Sequence, residues 1–326
     1  MSRGESISLS VLDIAPVWQG STPEQSLRDM TDLARHAERL GYQRYWVAEH
    51  HNTLSIASSS PPVLVAQLAS VTSTMRVGAG GVMLTNHPPL VVAEQFGTLE
   101  ALHPGRIDLG VGRAPGTDPA TARLLQRPGD FPSQVTELLG YFDDHPEVNA
   151  IPAAGNQPEF WILGSGMDSA ELAGRLGLPY AFAHHIRPEN TATALARYRE
   201  CFRPSAVLAR PSVLLSALVI AADTQERADW LATPLARMIV LMRNGFKQDP
   251  HTPPLEAAVY PYTAEERDYL RERLSSRIIG GPETVRRRVF ELLESTRADE
   301  LMVMTLIHDQ AERIRCYELL AEAVAG

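Results

Sequence analysis

"MRVGAGGVMLTNHPPLVVAEQFGTLEALHPGRIDLGV", residues 75–111, contains two apolar runs with a helix between them. "MRVGAGGVML" (75–84) reads as a buried strand, the segment around "LVVAEQFGTLEAL" (90–102) as a helix, and "RIDLGV" (106–111) as the next strand. Two strands joined through a helical crossover lie parallel in one sheet, which makes this stretch a βαβ unit.

The same alternation extends in both directions. Upstream, strand "ISLSVLD" (7–13) precedes a helix in "STPEQSLRDMTDLARHAERLGY" (21–42). Thr22 and Gln25 have capping-box spacing there, Pro23 suits the first helical position and Gly41 suits the stop. Strand "RYWVAE" (44–49) follows, then the helix "PVLVAQLASVTS" (62–73). Downstream, helical material is expected around 119–126 and 132–142. Strands "FWIL" (160–163) and "PYAFA" (179–183) flank "MDSAELAGRLG", and "SVLLSALVIAA" (212–222) and "ELMVMTL" (300–306) complete the series before a last helix, "QAERIRCYELLAEAVA". Eight strand candidates separated by helices predict an α/β fold of the (β/α)8 TIM-barrel type, and an open doubly wound sheet would need fewer. Residues 223–298 read as a helical insertion before the last strand, so 1–326 is expected to be one barrel domain.

Bulk properties exclude several classes. A formal net charge of -9 argues against a nucleic-acid partner, which needs a basic face. There is no apolar run of about 18 residues, so no membrane span is expected. Only Cys201 and Cys316 occur, with no leader-like N-terminus, which fits a reducing cytoplasm.

In a TIM barrel the chemistry sits at the carboxyl ends of the strands. "AEHH" (48–51) ends the second strand and places Glu49, His50 and His51 there. A metal site, an acid–base site and solvated loop histidines compete for this stretch. Adjacent side chains on an extended segment face apart, so His50 and His51 do not share one ion, and no metal is expected. The glycines of "VGAGGVML" (77–84) suit either a bulge or a backbone lying against a flat ligand. Arg113 follows the fourth strand, where a guanidinium can grip an anion. "LGSGMDS" (163–169) runs from a strand into a helix, so Gly164, Ser165, Gly166 and Ser169 form either a phosphate cradle or a plain turn with an N-cap. The G-x-G-x-x-x-G spacing at 110–116 is not the dinucleotide fingerprint.

Taken together, "AEHH", "VGAGGVML", "HPPLVVAEQFGTLEALHPGRIDLGVGRAPGTD" (87–118) and "GSGMDSAELAGRLGLPYAFA" (164–183) resemble the bacterial luciferase-like flavin monooxygenases, of the stand-alone, single-subunit type. "GGPETV" (280–285) and "ADELMV" (298–303) extend the likeness. The resemblance implies reduced FMN bound at the barrel's carboxyl face, usually in a homodimer, with O2 as co-substrate and a flavin C4a-hydroperoxide as oxygenating species. His50 would be the catalytic histidine beside it. Gly80 and Gly81 would carry a non-prolyl cis peptide against the flavin. Arg113, Ser165 and Ser169 would hold the phosphate, with Gly164 and Gly166 adding backbone. Bacterial luciferase has a cysteine where Gly112 stands, so no reactive thiol is expected there.

With no dinucleotide motif, FMNH2 is expected from a separate NAD(P)H:flavin reductase, which makes this a two-component monooxygenase acting on an aldehyde or an aromatic, polyketide-like substrate. Trp18, Asn86, His87, His184 and His185 lie at or beyond strand ends and are candidates for the substrate pocket. Residues 243–262 are either a lid or a surface loop. A coenzyme F420-dependent oxidoreductase and a non-enzymatic flavin-binding protein on the same barrel are the alternatives.

Overall fold

A computed structural model describes residues 7–143, 145, 147–245 and 249–325. Its strands are β1 (Ser8–Asp13), β2 (Arg44–Val47), β3 (Arg76–Met83), β4 (Ile107–Gly112), β5 (Glu159–Gly164), β6 (Tyr180–Ala183), β7 (Val213–Ala221), β8 (Ile278–Gly280) and β9 (Glu300–Met304). Every pairing is parallel. β1 to β7 and β9 close on themselves, because β6 pairs with β7, β7 with β9 and β9 with β1. The result is the (β/α)8 barrel that the alternation predicts, with strand ends moved by a residue or two.

The stretch read as insertion needs a correction. It holds helices Gln225–Leu231, Thr233–Arg243, Pro254–Ala257 and Ala264–Leu274, but also β8, which pairs with Val219–Ala221 of β7 outside the closed barrel. Three residues, "IIG", are too short to show an alternation, so the sequence hides this strand. The helix Pro282–Thr296 that follows packs beside the last helix, Gln310–Val324, as part of the barrel's outer ring. At the first helix, Pro23–Arg39, the Thr22 hydroxyl accepts the Gln25 N–H at 3.3 Å. The Gln25 amide turns to Asp29 instead of back to the cap, so only half the expected capping box forms.

Period-two alternation assigns the strand residues to two cores. Outward side chains such as Tyr45, Val77, Ile107, Tyr180 and Val303 pack under the helices in one large cluster. Inward, Leu12, Trp46, Trp161, Ala181, Leu214 and Met302 form a second, smaller cluster. Room inside comes from glycine on two strands: β3 presents Gly80 to Trp46, and β4 presents Gly110 to Leu163. A Cβ on Gly80 would lie 2.7 Å from the Trp46 ring, and one on Gly110 would lie 2.6 Å from Leu163.

Below the indoles, charge is buried. Arg44 reaches Asp108 at 2.9 Å, Glu300 at 3.1 Å and Glu159 at 3.2 Å, and Arg76 adds a second cation to Asp108 and Glu159. Trp46 Nε1–H donates to Asp108 at 2.7 Å, and the Ser10 hydroxyl donates to Glu300. Burial pushes Asp108 and Glu300 above the ordinary carboxylate range, and Arg44 opposes this. Arg44→Met leaves these carboxylates with one cation fewer, and a stability loss of about 3–5 kcal/mol is expected in urea unfolding. A loss below about 1 kcal/mol would show that the network does not depend on Arg44.

Candidate active site

The inward face of β2 is Arg44 and Trp46, continued by Ala48 in the inner cluster, and His50 is next in that alternation. Its backbone N–H donates to Ser58 O at 2.9 Å, while the Ser58 hydroxyl donates to Ala48 O at 2.5 Å. The loop that leaves the strand is thereby folded back onto it. His50 Nδ1 is buried without a hydrogen-bond partner, and burial lowers its pKa below the ordinary imidazole value. His50 is close enough to His185, beyond β6, for each charge to disfavour the other.

Glu49 and His51 take the opposite face. Glu49 is fully buried, and its Oε1 accepts His51 Nε2 and His87 Nε2, both at 2.8 Å, and Asn86 Nδ2 at 3.3 Å. Its Oε2 accepts the Met83 N–H at 2.9 Å, at the end of β3. Burial by itself would raise the carboxyl, but the His87 bond and charge, the His51 bond and the Met83 N–H together hold it below the usual range. Neither Glu49 nor His51 bonds to the His50 ring. They tie the β2 end to the β3 end. Glu49, His51 and His87 also bring ligand-type atoms within 4.8 Å of one another. Parity separates His50 from His51, as read from sequence, but His87 joins from a distant segment.

On β3 the peptide between Gly80 and Gly81 is cis, and the register against β4 shifts between Gly80 and Val82. The bulge and the bare backbone therefore coincide. A Cβ on Gly81 would meet Gly110 O at 2.7 Å, so glycine alone fits there. Arg113, exposed after β4, pairs with Asp168 at 3.1 Å. Gly166 caps the helix Met167–Leu176 with open space around its Cα. A Cβ on Gly164 would collide with the Ser169 hydroxyl, which donates to Gly166 O and shares a 3.1 Å bond with Tyr180. Ser169 thus braces the turn from inside, and Ser165 is fixed by its carbonyl, which accepts Asn190 Nδ2 at 3.0 Å.

Of the remaining candidates, His185 Nδ1 bonds the Ser216 hydroxyl of β7 at 2.9 Å, and burial pushes it down to about 4. His184 turns to Thr191 at 2.8 Å, under the next helix. Trp18 is buried between His251 and His308, with ring centroids at 5.2 and 5.1 Å. His251 comes from the segment 243–262, of which residues 246–248 lie outside the described residues. That segment is pinned to the β1 loop: His251 N–H donates to Val17 O and Gln19 N–H to His251 O.

A family model for luciferase-like monooxygenases matches residues 7–300. The chain belongs to the luciferase-like monooxygenase family. A luciferase-like monooxygenase of Escherichia coli (strain K12) is 43% identical over 97% of this chain and 96% of its own length. The N-acetyl-S-alkylcysteine monooxygenase of Bacillus subtilis (strain 168) is 33% identical over 98% of each. The crystal structure of apo-MsnO8 superposes with a TM-score of 0.91 at 39% identity, over 97% of this chain and 98% of that one. Luciferase-like monooxygenases are flavin-dependent enzymes, and no helix among the described residues of this one is long and apolar enough to cross a membrane.

Sequence reading missed Ser216 and His251 and the inner indole wall. Asp108 and Arg44, charges inside apolar strands, were the visible signal of a buried network. Burial pushes both His185 and His251 down to about 4, so the folded protein binds fewer protons there than the unfolded chain below pH 6.5. Their contribution to stability is present above pH 6.5 and is lost as pH falls toward 4. Unfolding free energy measured across that window should fall with pH, and His251→Gln should flatten the slope. An unchanged slope would mean that His251 does not titrate there.

Proposed function

We propose that this chain is the oxygenase component of a two-component, FMN-dependent monooxygenase, receiving reduced FMN from a separate NAD(P)H:flavin reductase and transferring one oxygen atom of O2 to a small organic substrate. The observation that carries the reading is the buried, unpaired Nδ1 of His50, on the inward face of the strand next to the bare Gly80–Gly81 backbone. Bound reduced flavin supplies the electrons that activate O2.

Three features of the chain fit a flat, phosphate-bearing ring. Gly80 and Gly81 offer backbone without side chains. Gly166 leaves open space at a helix N-terminus, where N–H groups and the helix dipole favour an anion. Arg113 is near it, in an exposed ion pair with Asp168 that is worth at most about 1 kcal/mol and yields readily to a phosphate. His50, kept neutral by burial, holds or accepts a proton at Nδ1. Glu49 anchors the loops on either side of it, and Trp18 with the inner indoles keeps bulk water from the mouth.

Anaerobic titration with photoreduced FMN should quench tryptophan fluorescence, and admission of O2 should show a lag before hydrogen peroxide appears. His50→Ala should keep flavin binding and shorten that lag at least about tenfold. Binding of reduced coenzyme F420 in place of FMNH2, without oxygen uptake, would establish hydride transfer instead. An unchanged lag in His50→Ala would favour a flavin-binding protein without catalysis.

A homodimer is part of the same proposal. Helices Pro61–Val71 and Pro89–Leu102 pack side by side, and Val63, Val91 and Leu102 stand exposed on them at 66%, 41% and 68%. The first of these helices carries no charged residue. Such a patch suits an isologous interface. Light scattering should give twice 35.8 kDa, and Val63→Glu with Val91→Glu should give the single-chain mass. A wild-type protein of single-chain mass at micromolar concentration would refute the dimer.

A further inference from the structure

We infer that the cleft between the helix Thr233–Arg243 and the loops after β1 and β2 binds a small organic anion, an apolar chain ending in a carboxylate, with Arg237 pairing its charge. This deepens the oxygenase reading by naming its substrate class, and rests on that reading for the substrate's fate.

The cavity has a volume of about 160 Å³. A cavity of roughly 150 Å³ takes benzene, so this one takes a group of roughly six to eight heavy atoms. Its lining is mainly apolar on the helix side, where Met238, Leu241 and Met242 contribute. Arg237 and Leu241, and Met238 and Met242, are each four apart, so two rows of one helix face the cleft together.

Arg237 is the feature without an internal explanation. Its Nε is buried with no hydrogen-bond partner, and among the described residues its guanidinium forms no ion pair. Its guanidinium carbon stands 5.5 Å from the centroid of the Tyr260 ring, and its charge favours the ionised form of the nearby Tyr262 phenol, against the effect of burial. Neighbouring arginines behave differently: Arg243 pairs with Glu265 and Arg227 with Glu312. A half-buried, unpaired cation carries a desolvation cost that an incoming carboxylate removes, in the bidentate geometry that guanidinium favours. The acid in the same wall, Asp249, is exposed and makes no ion pair with Arg237.

His251 supplies a second, independent observation. The residue is 7% exposed, and its Nε2 is buried with no partner. Two backbone bonds to the β1 loop hold its segment, and its ring lies against the Trp18 ring. Neutral by burial, it can donate one hydrogen bond to a carboxylate oxygen without adding charge. Ser55, in the opposite wall, belongs to the loop that starts at His50, so a ligand here occupies the barrel mouth on the β1–β2 side. The flavin-phosphate candidates Arg113 and Gly166 follow β4 and β5 instead.

Calorimetric titration of the full chain, without flavin, with the straight-chain carboxylates from butanoate to decanoate and with the matching primary amides tests this. Carboxylates should bind at least about tenfold tighter than amides, with affinity levelling off near four to six carbons. Arg237→Met should remove that preference while leaving amide binding unchanged, and Arg237→Lys should keep part of it. Unchanged thermal melting checks that both variants fold. Equal binding of acids and amides, or an Arg237→Met protein that keeps the preference, would overturn the proposal. Inorganic phosphate binding as tightly as hexanoate would also overturn it, by showing a general anion site. Because neither flavin nor O2 is present, these outcomes stand apart from success or failure of the oxygenase reading.

Discussion

One-residue alternation along β2 governs the arrangement of the site. Arg44, Trp46, Ala48 and His50 share the inward face, while Tyr45, Val47, Glu49 and His51 share the outward one. A slip of one residue would exchange the two sets, moving a buried cation under the helices and Tyr45 into the lumen. The charge network below holds that register: Arg44 is bonded to carboxylates on β4, β5 and β9, so β2 cannot slide without breaking all of them. His50 inherits its position from this constraint.

The inner core follows from the same requirement. A barrel lumen must be filled by side chains from all its strands, and here Trp46 occupies space that β3 gives up at Gly80, with Trp161 packed edge-on against it and Leu163 set against Gly110 of β4. Those glycines also leave the upper β3 wall bare at the mouth. Filling the core and shaping a flat wall are thus one packing solution, and a larger residue at Gly80 would disturb both. Glu49 then fastens the β3 end to the β2 end through three hydrogen bonds, from Met83, Asn86 and His87, which keeps the bare wall and His50 in fixed relation.

The mouth is chemically quiet at neutral pH. Burial keeps His50, His185 and His251 below the ordinary imidazole range, so they act as neutral donors or acceptors and add no cationic charge. Guanidinium groups stand around the opening at Arg113, at Arg237 and, beside His185, at Arg277.

The alternation of apolar runs and capped helices determined the barrel by itself, because a strand–helix–strand unit repeated eight times has few other ways to bury its faces. It also placed His50 at a strand end, where such barrels expose chemistry, and the glycine run marked Gly80–Gly81 as bare backbone. Tertiary structure alone decided the partners. Glu49 meets His87 across 38 positions and Arg44 meets Glu300 across 256, distances over which sequence spacing carries no signal. β8 escaped notice because three residues show no period. Arg237 and His251 escaped notice because a polar atom without a partner among the described residues is recognisable only once the surrounding side chains are placed.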